Sequence, residues 1–358
     1  MGLKKWLHRK TLGMSNDLKY LFSFIFPLSV TVFLITGPHT ALDAMLWTLP
    51  LWIIILIDWL SPALSTDNTE TPAPESFYKA ILYALAMLHF FIIGLMLHYA
   101  SQLQWHSIPA ITNTLVNIIV LRILVGTSSG SSAIIVAHEF IHRRNKYERL
   151  LGRMLLCTVC YEHFIISHLY THHPNVATQD DIATARLNED FNHYWQRVYR
   201  QNFYFAWRYE QKRLKNHPPT ALRFMNNRVF HGLLFETVFL IFILFYFGWT
   251  AGGVFLYQAL SGVRLLETIN YYQHWGLLHD KSDASLAWVN DSSFSHYALI
   301  GLDNHIGHHQ NATLPFYKTP YISNGPKMPY GYFVTNLWVK LHNARYRKTS
   351  LAILKQNV

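Results

Sequence analysis

Six stretches of this chain, at about 18–37, 41–60, 78–101, 110–137, 229–249 and 251–270, run for roughly 20 residues or more with hardly a charge among them. As α-helix, each is long enough to cross a hydrocarbon layer of ~30 Å. Inside a bilayer the backbone finds no water, so spanning segments of this kind must close their own hydrogen bonds as helices. The expectation is an all-α integral membrane protein with about six transmembrane helices, residues 1–358 forming a single membrane-bound domain. Composition agrees, since 51% of residues are apolar and only 14% charged, against about 25% charged in a soluble domain. A purely soluble globular protein is excluded.

Charge placement sets the expected orientation. The joints 37–41, 101–110 and 249–252 hold no Lys or Arg, whereas the N-terminus (Lys4, Lys5, Arg9, Lys10), the segment 139–228 and the C-terminal tail are rich in them. Positive charge stays on the cytoplasmic side, so both termini are expected there, in a bacterial inner membrane. The acidic joint 61–77 is the exception. The net charge of +10 is read as topology, because no nucleic-acid-binding signature accompanies it, and no nucleic-acid partner is expected. Two cysteines, Cys157 and Cys160, are too few for a disulfide framework or a four-thiolate iron site. They read as packed, reduced thiols, and any iron–sulfur electron donor has to be another protein.

Histidine carries the chemistry. Three boxes stand out, His138-Glu-Phe-Ile-His142, His168-Leu-Tyr-Thr-His172-His173 and His305-Ile-Gly-His308-His309, with His274 apart from them. Residues four apart share a helix face. His138 and His142 are therefore expected to converge on one ion, His168 and His172 likewise, and His173 to reach a second ion. Nine neutral nitrogen ligands suit a pair of metal ions with positions left open; iron is the metal expected, with zinc the rival. His89, His98, His106, His163, His193, His231, His279 and His296 are read as packing or hydrogen-bonding residues. A zinc protease would place Glu139 as base; at the end of a span beside two further boxes, Glu139 is instead expected to orient a ligand imidazole. A histidine-rich metal transporter is the non-enzyme alternative, and it would need ligands at mid-span. These boxes fall at or beyond the span ends.

With these residues in place, the chain resembles the membrane-bound fatty acid desaturase and hydroxylase superfamily, most closely its alkane 1-monooxygenase branch. The resemblance runs through DWL at 58–60, HEFIHRR at 138–144, HLYTHHPNVATQDDIATAR at 168–186, LLETINYYQHWGL at 265–277, AWVND at 287–291, NHIGHHQNATLPF at 304–316 and PKMPYGY at 326–332. It implies nine iron ligands, His138, His142, His168, His172, His173, His274, His305, His308 and His309, in a cytoplasmic cap holding two iron ions. It also implies O₂ as co-substrate, an external rubredoxin or ferredoxin as electron donor, and terminal hydroxylation of an alkane or similar chain drawn from the bilayer. The sequence departs from the branch at three places where carboxylates are usual, now Ser167, Gln273 and Gly307. Ligand basicity depends on such neighbours; Gln273 and Asp303 are expected, like Glu139, to orient ligands, and Asp303, Asp180 or Asp181 are the candidates to compensate for the lost carboxylates.

Substrate choice is left open between an alkane and a fatty acid, the latter including desaturation or oxidative decarboxylation to a 1-alkene. Arg122 and Arg264 lie inside expected spans, where an ionisable group needs a partner. A carboxylate headgroup is one such partner. For Arg264 the other is Glu236, which lies equally far from a turn expected near Thr250. Arg122 precedes His138 by sixteen residues, about 24 Å and roughly 160° around an α-helix, so a kink near Gly126 or Gly130 is needed to bring them to one face. Trp47, Trp52 and Trp59 are candidates for lining a substrate channel, or for packing and interface anchoring.

Overall fold

The computed structural model describes residues 15–64, 72–215, 223–279, 283 and 286–356; the N-terminal basic residues Lys4, Lys5, Arg9 and Lys10, and residues 65–71 of the acidic joint, lie outside them. Among the described residues five helical segments are long and apolar enough to cross a membrane: α1 (Asn16–Thr36), α2 (Ala41–Leu60), α3 (Glu75–Ser101), α4 (Ile108–Ile141) and α7 (Arg228–His274). Between the last two stand α5 (Lys146–Cys157) and α6 (Phe191–Leu214), and after them α8 (Ser293–Ala298), α9 (His305–Gln310), α10 (Tyr332–Leu341) and α11 (Asn343–Gln356). Side chains close many of the open helix starts. Thr40 accepts from the Asp43 N–H, Asn145 from Tyr147, Asp190 from Asn192 and His193, and Asn227 from Val229 and Phe230, the usual way of satisfying first-turn donors.

The two apolar stretches expected at 229–249 and 251–270 form the two helical arms of Arg228–His274, which meet at Gly248, whose φ of 84° and ψ of 176° are not helical. A positive φ of that size suits glycine and almost nothing else. There the chain folds back. The rings of Phe239 and Phe255 lie 5.4 Å apart, whereas sixteen residues of straight helix would part them by about 24 Å. The turn therefore sits at Gly248 rather than near Thr250, and the Glu236–Arg264 pairing is not made. Glu236 stands twelve residues before the turn and Arg264 sixteen after it, an offset of about 6 Å in depth. Glu236 accepts the Glu162 N–H at 3.3 Å, while Arg264 donates to Asn192 at 3.1 Å and lies over the Phe191 ring.

Helix α4 packs along the second arm of α7 at its small residues. A Cβ on Gly126 would stand 2.5 Å from the Ser261 Cβ, and one on Gly130 2.9 Å from the Leu265 Cβ. Small residues of this kind let membrane helices approach closely without help from the hydrophobic effect. Polar links fix the contact, Ser129 donating to Gln258 at 2.8 Å and Gln258 to the Thr158 carbonyl at 2.9 Å. The outer faces are apolar and exposed, as at Leu28, Val32, Ile53, Phe245 and Trp249, a surface suited to lipid. Trp105, Tyr246 and Trp249 gather at the Gly248 end, with Trp105 donating to Thr250 at 3.0 Å; such rings favour a membrane–water boundary. At the other end, Asp58 of α2 is buried and accepts from Ser292 (2.6 Å), Ser295 (2.7 Å) and the Val334 N–H (3.1 Å). A Cβ at Gly331 would collide with this carboxylate, so the DWL and PYGY motifs meet in space.

The α4–α7 contact gives a direct test. Gly126→Val overfills it and is expected to cost about 1–3 kcal/mol or more, read as a lower thermal midpoint in detergent. Gly94→Ala, in α3 with nothing within 4 Å of the added Cβ, is expected to hold or raise the midpoint. An equal loss in both variants would remove the close-packing explanation.

Candidate metal centre

The nine histidines converge from four elements. His138 and His142 close α4, His168 to His173 occupy a helical stretch after α5, His274 ends α7, and His305, His308 and His309 lie on α9. They divide into a group of five (His138, His142, His168, His173, His308) and a group of four (His172, His274, His305, His309), the ligating nitrogens of each lying within 4.8 Å of one another. In the first group the Nε2 atoms of His138, His142 and His173 stand 2.9, 3.0 and 3.0 Å from that of His168. In the second, the Nε2 atoms of His274 and His309 stand 2.8 and 2.9 Å from that of His305. The two groups adjoin, with the His173 and His309 rings 5.0 Å apart. None of the eight histidines read as packing residues joins either group.

One pairing differs from helix arithmetic. His168 and His172 do not share an ion site; His168 groups with His173 and His172 with the other set. The cause is local, because residues 168–172 form a π-helix in which the His173 N–H bonds the His168 carbonyl. A π-turn closes over five residues instead of four, so the side chain directly above His168 is His173, and His172 rotates toward His274. His138 and His142 keep the ordinary four-residue spacing and share a group as expected.

Buried imidazoles arranged in this way need something to bind. Burial pushes His142, His168, His305, His308 and His309 well below the ordinary imidazole range, and His173 to about 2, so these rings are neutral at pH 7. A neutral imidazole carries one N–H, and one proton cannot serve several Nε2 atoms crowded around His168. The buried Nε2 atoms of His172 and His308 have no hydrogen-bond partner among the described residues. First-row divalent ions such as iron or zinc take this kind of imidazole donor set, and the residues fit two such ions side by side.

Asp181 supplies the supporting carboxylate. Its Oδ2 accepts from His172 Nδ1 at 2.9 Å and from Thr184 at 2.6 Å, while Oδ1 accepts the Ala183 N–H at 2.9 Å. Burial alone would raise this carboxyl, but the His172 ring and these donors hold it below its usual range. The bond fixes His172 with Nε2 turned to the metal group, the arrangement that orients and strengthens an imidazole ligand. Arg197 secures the loop by pairing with Glu189 at 2.6 Å and donating to the Ile182 carbonyl at 2.8 Å.

The three residues expected to orient ligands make their bonds elsewhere. Glu139 accepts from Arg143 at 2.9 Å and from the Phe316 N–H at 3.3 Å. Gln273 donates to Tyr332 at 2.9 Å. Asp303 pairs with His296 at 2.9 Å, and His296 lies outside both groups. Each is adjacent in sequence to a ligand or one residue removed from it, yet in a helix adjacent side chains point about 100° apart. Asp180 meets Thr171 through its backbone carbonyl, and Asp181 is the member of the pair that reaches a ligand. Of the tryptophans, Trp52 lines a cavity between α2, α4, α7 and α10, Trp59 lines a separate groove, and Trp47 packs on Phe33 and His39. That cavity also contains Arg122, Arg264 and two residues that sequence reading passed over, Asn336 and Lys340. Their signal was weak, one polar residue and one lysine on a short C-terminal helix.

Residues 112–336 match the family model for fatty acid desaturase. Among characterised proteins, the chain is 32% identical to alkane 1-monooxygenase 1 of Pseudomonas aeruginosa over 58% of its own length and 56% of that protein's. It is 27% identical to alkane 1-monooxygenase 2 of the same organism, covering 76% and 72% of the two chains. It is also 27% identical to alkane 1-monooxygenase 2 of Alcanivorax borkumensis, covering 82% and 80%. The chain thus spans just over half of the first of these relatives and about three quarters or more of the other two.

Each chain is expected to bind two divalent ions, and Asp181→Asn to weaken one of them by roughly 10–100-fold. Metal content after dialysis against graded chelator reads this directly: one ion should leave early and the other stay. Two ions released together, as in the unaltered protein, would remove Asp181 from the centre.

Proposed function

The chain belongs to the fatty acid desaturase family, and from that premise we propose that it is a membrane-bound di-iron oxygenase that oxidises an unactivated alkyl carbon, with terminal hydroxylation as its reaction. The observation that carries this reading is the division of nine buried and half-buried histidines into adjoining groups of five and four, in a chain with a mostly apolar cavity open among its membrane helices. Iron bound by these groups supplies O₂ activation and removal of hydrogen from the alkyl chain. The net change is R–CH₃ + O₂ + 2 e⁻ + 2 H⁺ → R–CH₂OH + H₂O. The two electrons come from an external rubredoxin or ferredoxin, since two cysteines cannot build such a centre within the chain. The setting proposed is a bacterial inner membrane, with both termini and the histidine cap on the cytoplasmic side.

The chain's own residues position the reactants. Asp181 holds the His172 ring in one tautomer, and the Arg197–Glu189 pair keeps the loop that carries Asp181 in place. Ile135, Ile300, Leu302 and Phe316, together with Glu139 and Thr319, line a small enclosed space against His138, His305 and His308, whose narrowness limits water at the reacting carbon. Ser131 and Leu299 of the larger cavity sit one turn or one residue from Ile135 and Ile300 of the smaller, so a chain end has only a thin partition between it and the centre. A second reading, action on a fatty acid, including decarboxylation to a 1-alkene, is favoured by the basic residues in the larger cavity and by Ser167, Gln273 and Gly307 at the three departures from the branch.

Mass spectrometry of products under ¹⁸O₂ tests the proposal, using iron-loaded protein with a rubredoxin or ferredoxin system and offering dodecane or dodecanoate. Singly labelled alcohol from either substrate is expected. Unlabelled product, or a 1-alkene one carbon shorter than the acid, would replace hydroxylation with a different oxidation.

A further inference from the structure

The cavity between α2, α4, α7 and α10 has a volume of about 430 Å³ and is mostly apolar, yet it contains Arg122, Arg264 and Lys340. Among the described residues none of those lining it is acidic. Arg122 lies over the Tyr257 ring, and Arg264 spends one nitrogen on Asn192. The Arg264 Nε and the Asn336 Nδ2, both buried, have no hydrogen-bond partner. Burial, together with repulsion from Arg264 and Arg122, pushes the Lys340 ammonium down to about 7. Among the described residues, these three half-buried basic side chains and the idle amide donor surround one mostly apolar space without an anion, and charge withdrawn from water without a partner is costly.

The cavity also has a direction. Trp52 and Leu341, 51% and 63% exposed, stand on its outer side, while Tyr272, two residues from His274, is buried in its wall. Arg264 lies ten residues before His274, about 15 Å along the helix. Arg122 gains the kink that sequence reading required, because Ser129–Ala133 is a π-helix. One additional residue in that turn takes the rotation between Arg122 and His138 from roughly 160° to roughly 60°. Both guanidinium groups therefore stand well back from the metal ligands along helices that lead to them.

We infer that Arg122, Arg264, Lys340 and Asn336 bind the carboxylate headgroup of a single-chain amphiphile whose alkyl tail extends through the cavity toward the histidine centre. This rests on the proposed oxygenase reading and names its substrate class as a medium-chain fatty acid, held so that carbons remote from the carboxylate meet the metal pair. A guanidinium offers the carboxylate two parallel donors, and a free acid supplies one tail for one inward passage. An anionic phospholipid offers the same kind of charge but carries two tails.

Binding in the absence of reductant tests the site separately from turnover. The full-length protein in phosphatidylcholine nanodiscs is titrated calorimetrically with dodecanoate and with dodecan-1-ol. Dodecanoate is expected to bind at least about tenfold more tightly, and Arg264→Gln and Lys340→Gln each to remove most of that preference. Unchanged metal content and circular dichroism certify the fold of each variant, and Lys340→Gln, on a short helix outside the long apolar ones, keeps the test open if Arg264→Gln misfolds. Equal affinity for acid and alcohol, or undiminished preference in folded variants, would overturn the headgroup site. Displacement of dodecanoate by phosphatidylglycerol at matched concentration would assign the cations to bilayer lipid and overturn it as well. Selective dodecanoate binding without oxidised product would leave the site standing and defeat the oxygenase reading alone.

Discussion

Nine imidazoles with too few protons among them form the constraint on which the rest of this structure depends. Their burial keeps the rings neutral, and neutral rings whose Nε2 atoms approach to 2.8–3.0 Å repel one another unless a proton or a cation stands between. Protons can bridge some of these contacts but not all, and two Nε2 atoms have no partner among the described residues. A metal ion between the rings would relieve that repulsion, which is why the donor set fits one. The surrounding protein must hold four separate elements in register before that metal can bind, since a preformed site is what turns scattered histidines into ligands.

The membrane helices provide that register by means suited to lipid. Between helices in a bilayer the hydrophobic effect gives little, and contact depends on small residues and shared hydrogen bonds. Gly126, Gly130 and Gly262 let α4 and α7 approach, and Ser129 and Gln258 lock them. These helices then deliver His138 and His142 from one side and His274 from the other. Asp58 ties α2 to the segment after His274 through Ser292, Ser295 and the Val334 N–H. Trp288 reaches back to the Trp275 and Gln273 carbonyls at 2.8 and 2.9 Å. The C-terminal histidines are in this way anchored to the same scaffold as the first box.

Local departures from α-helix do the fine positioning. The π-turn at 168–172 divides one histidine box between two ion sites, and the π-turn at 129–133 changes the angular relation between Arg122 and the first box. Both changes cost one extra residue in a turn. Neither could be made by moving whole helices without breaking the close contact of α4 with α7. The same economy appears at Asp181, a loop residue held by short-range bonds, which takes the supporting place left by residues whose side chains point away from the ligands.

Much of this was legible in the order of residues. Apolar runs of bilayer length force helices, because unsatisfied backbone cannot persist in lipid, and three histidine boxes with one histidine apart supply a ligand set large enough for two metals. Those properties are fixed by composition and spacing along the chain. Which histidines share a group was decided by the π-helical turn, which makes His173 rather than His172 the neighbour of His168. The fold-back at Gly248 fixed where the two last arms turn and so placed Glu236 and Arg264 at different depths. Asp181 in place of Glu139, Gln273 or Asp303, and Lys340 beside Arg122 and Arg264, were settled by side-chain direction and by contacts between residues far apart in sequence. Periodicity determines which elements form; rotation about their axes and packing between them determine which side chains meet, and only the folded chain fixes those.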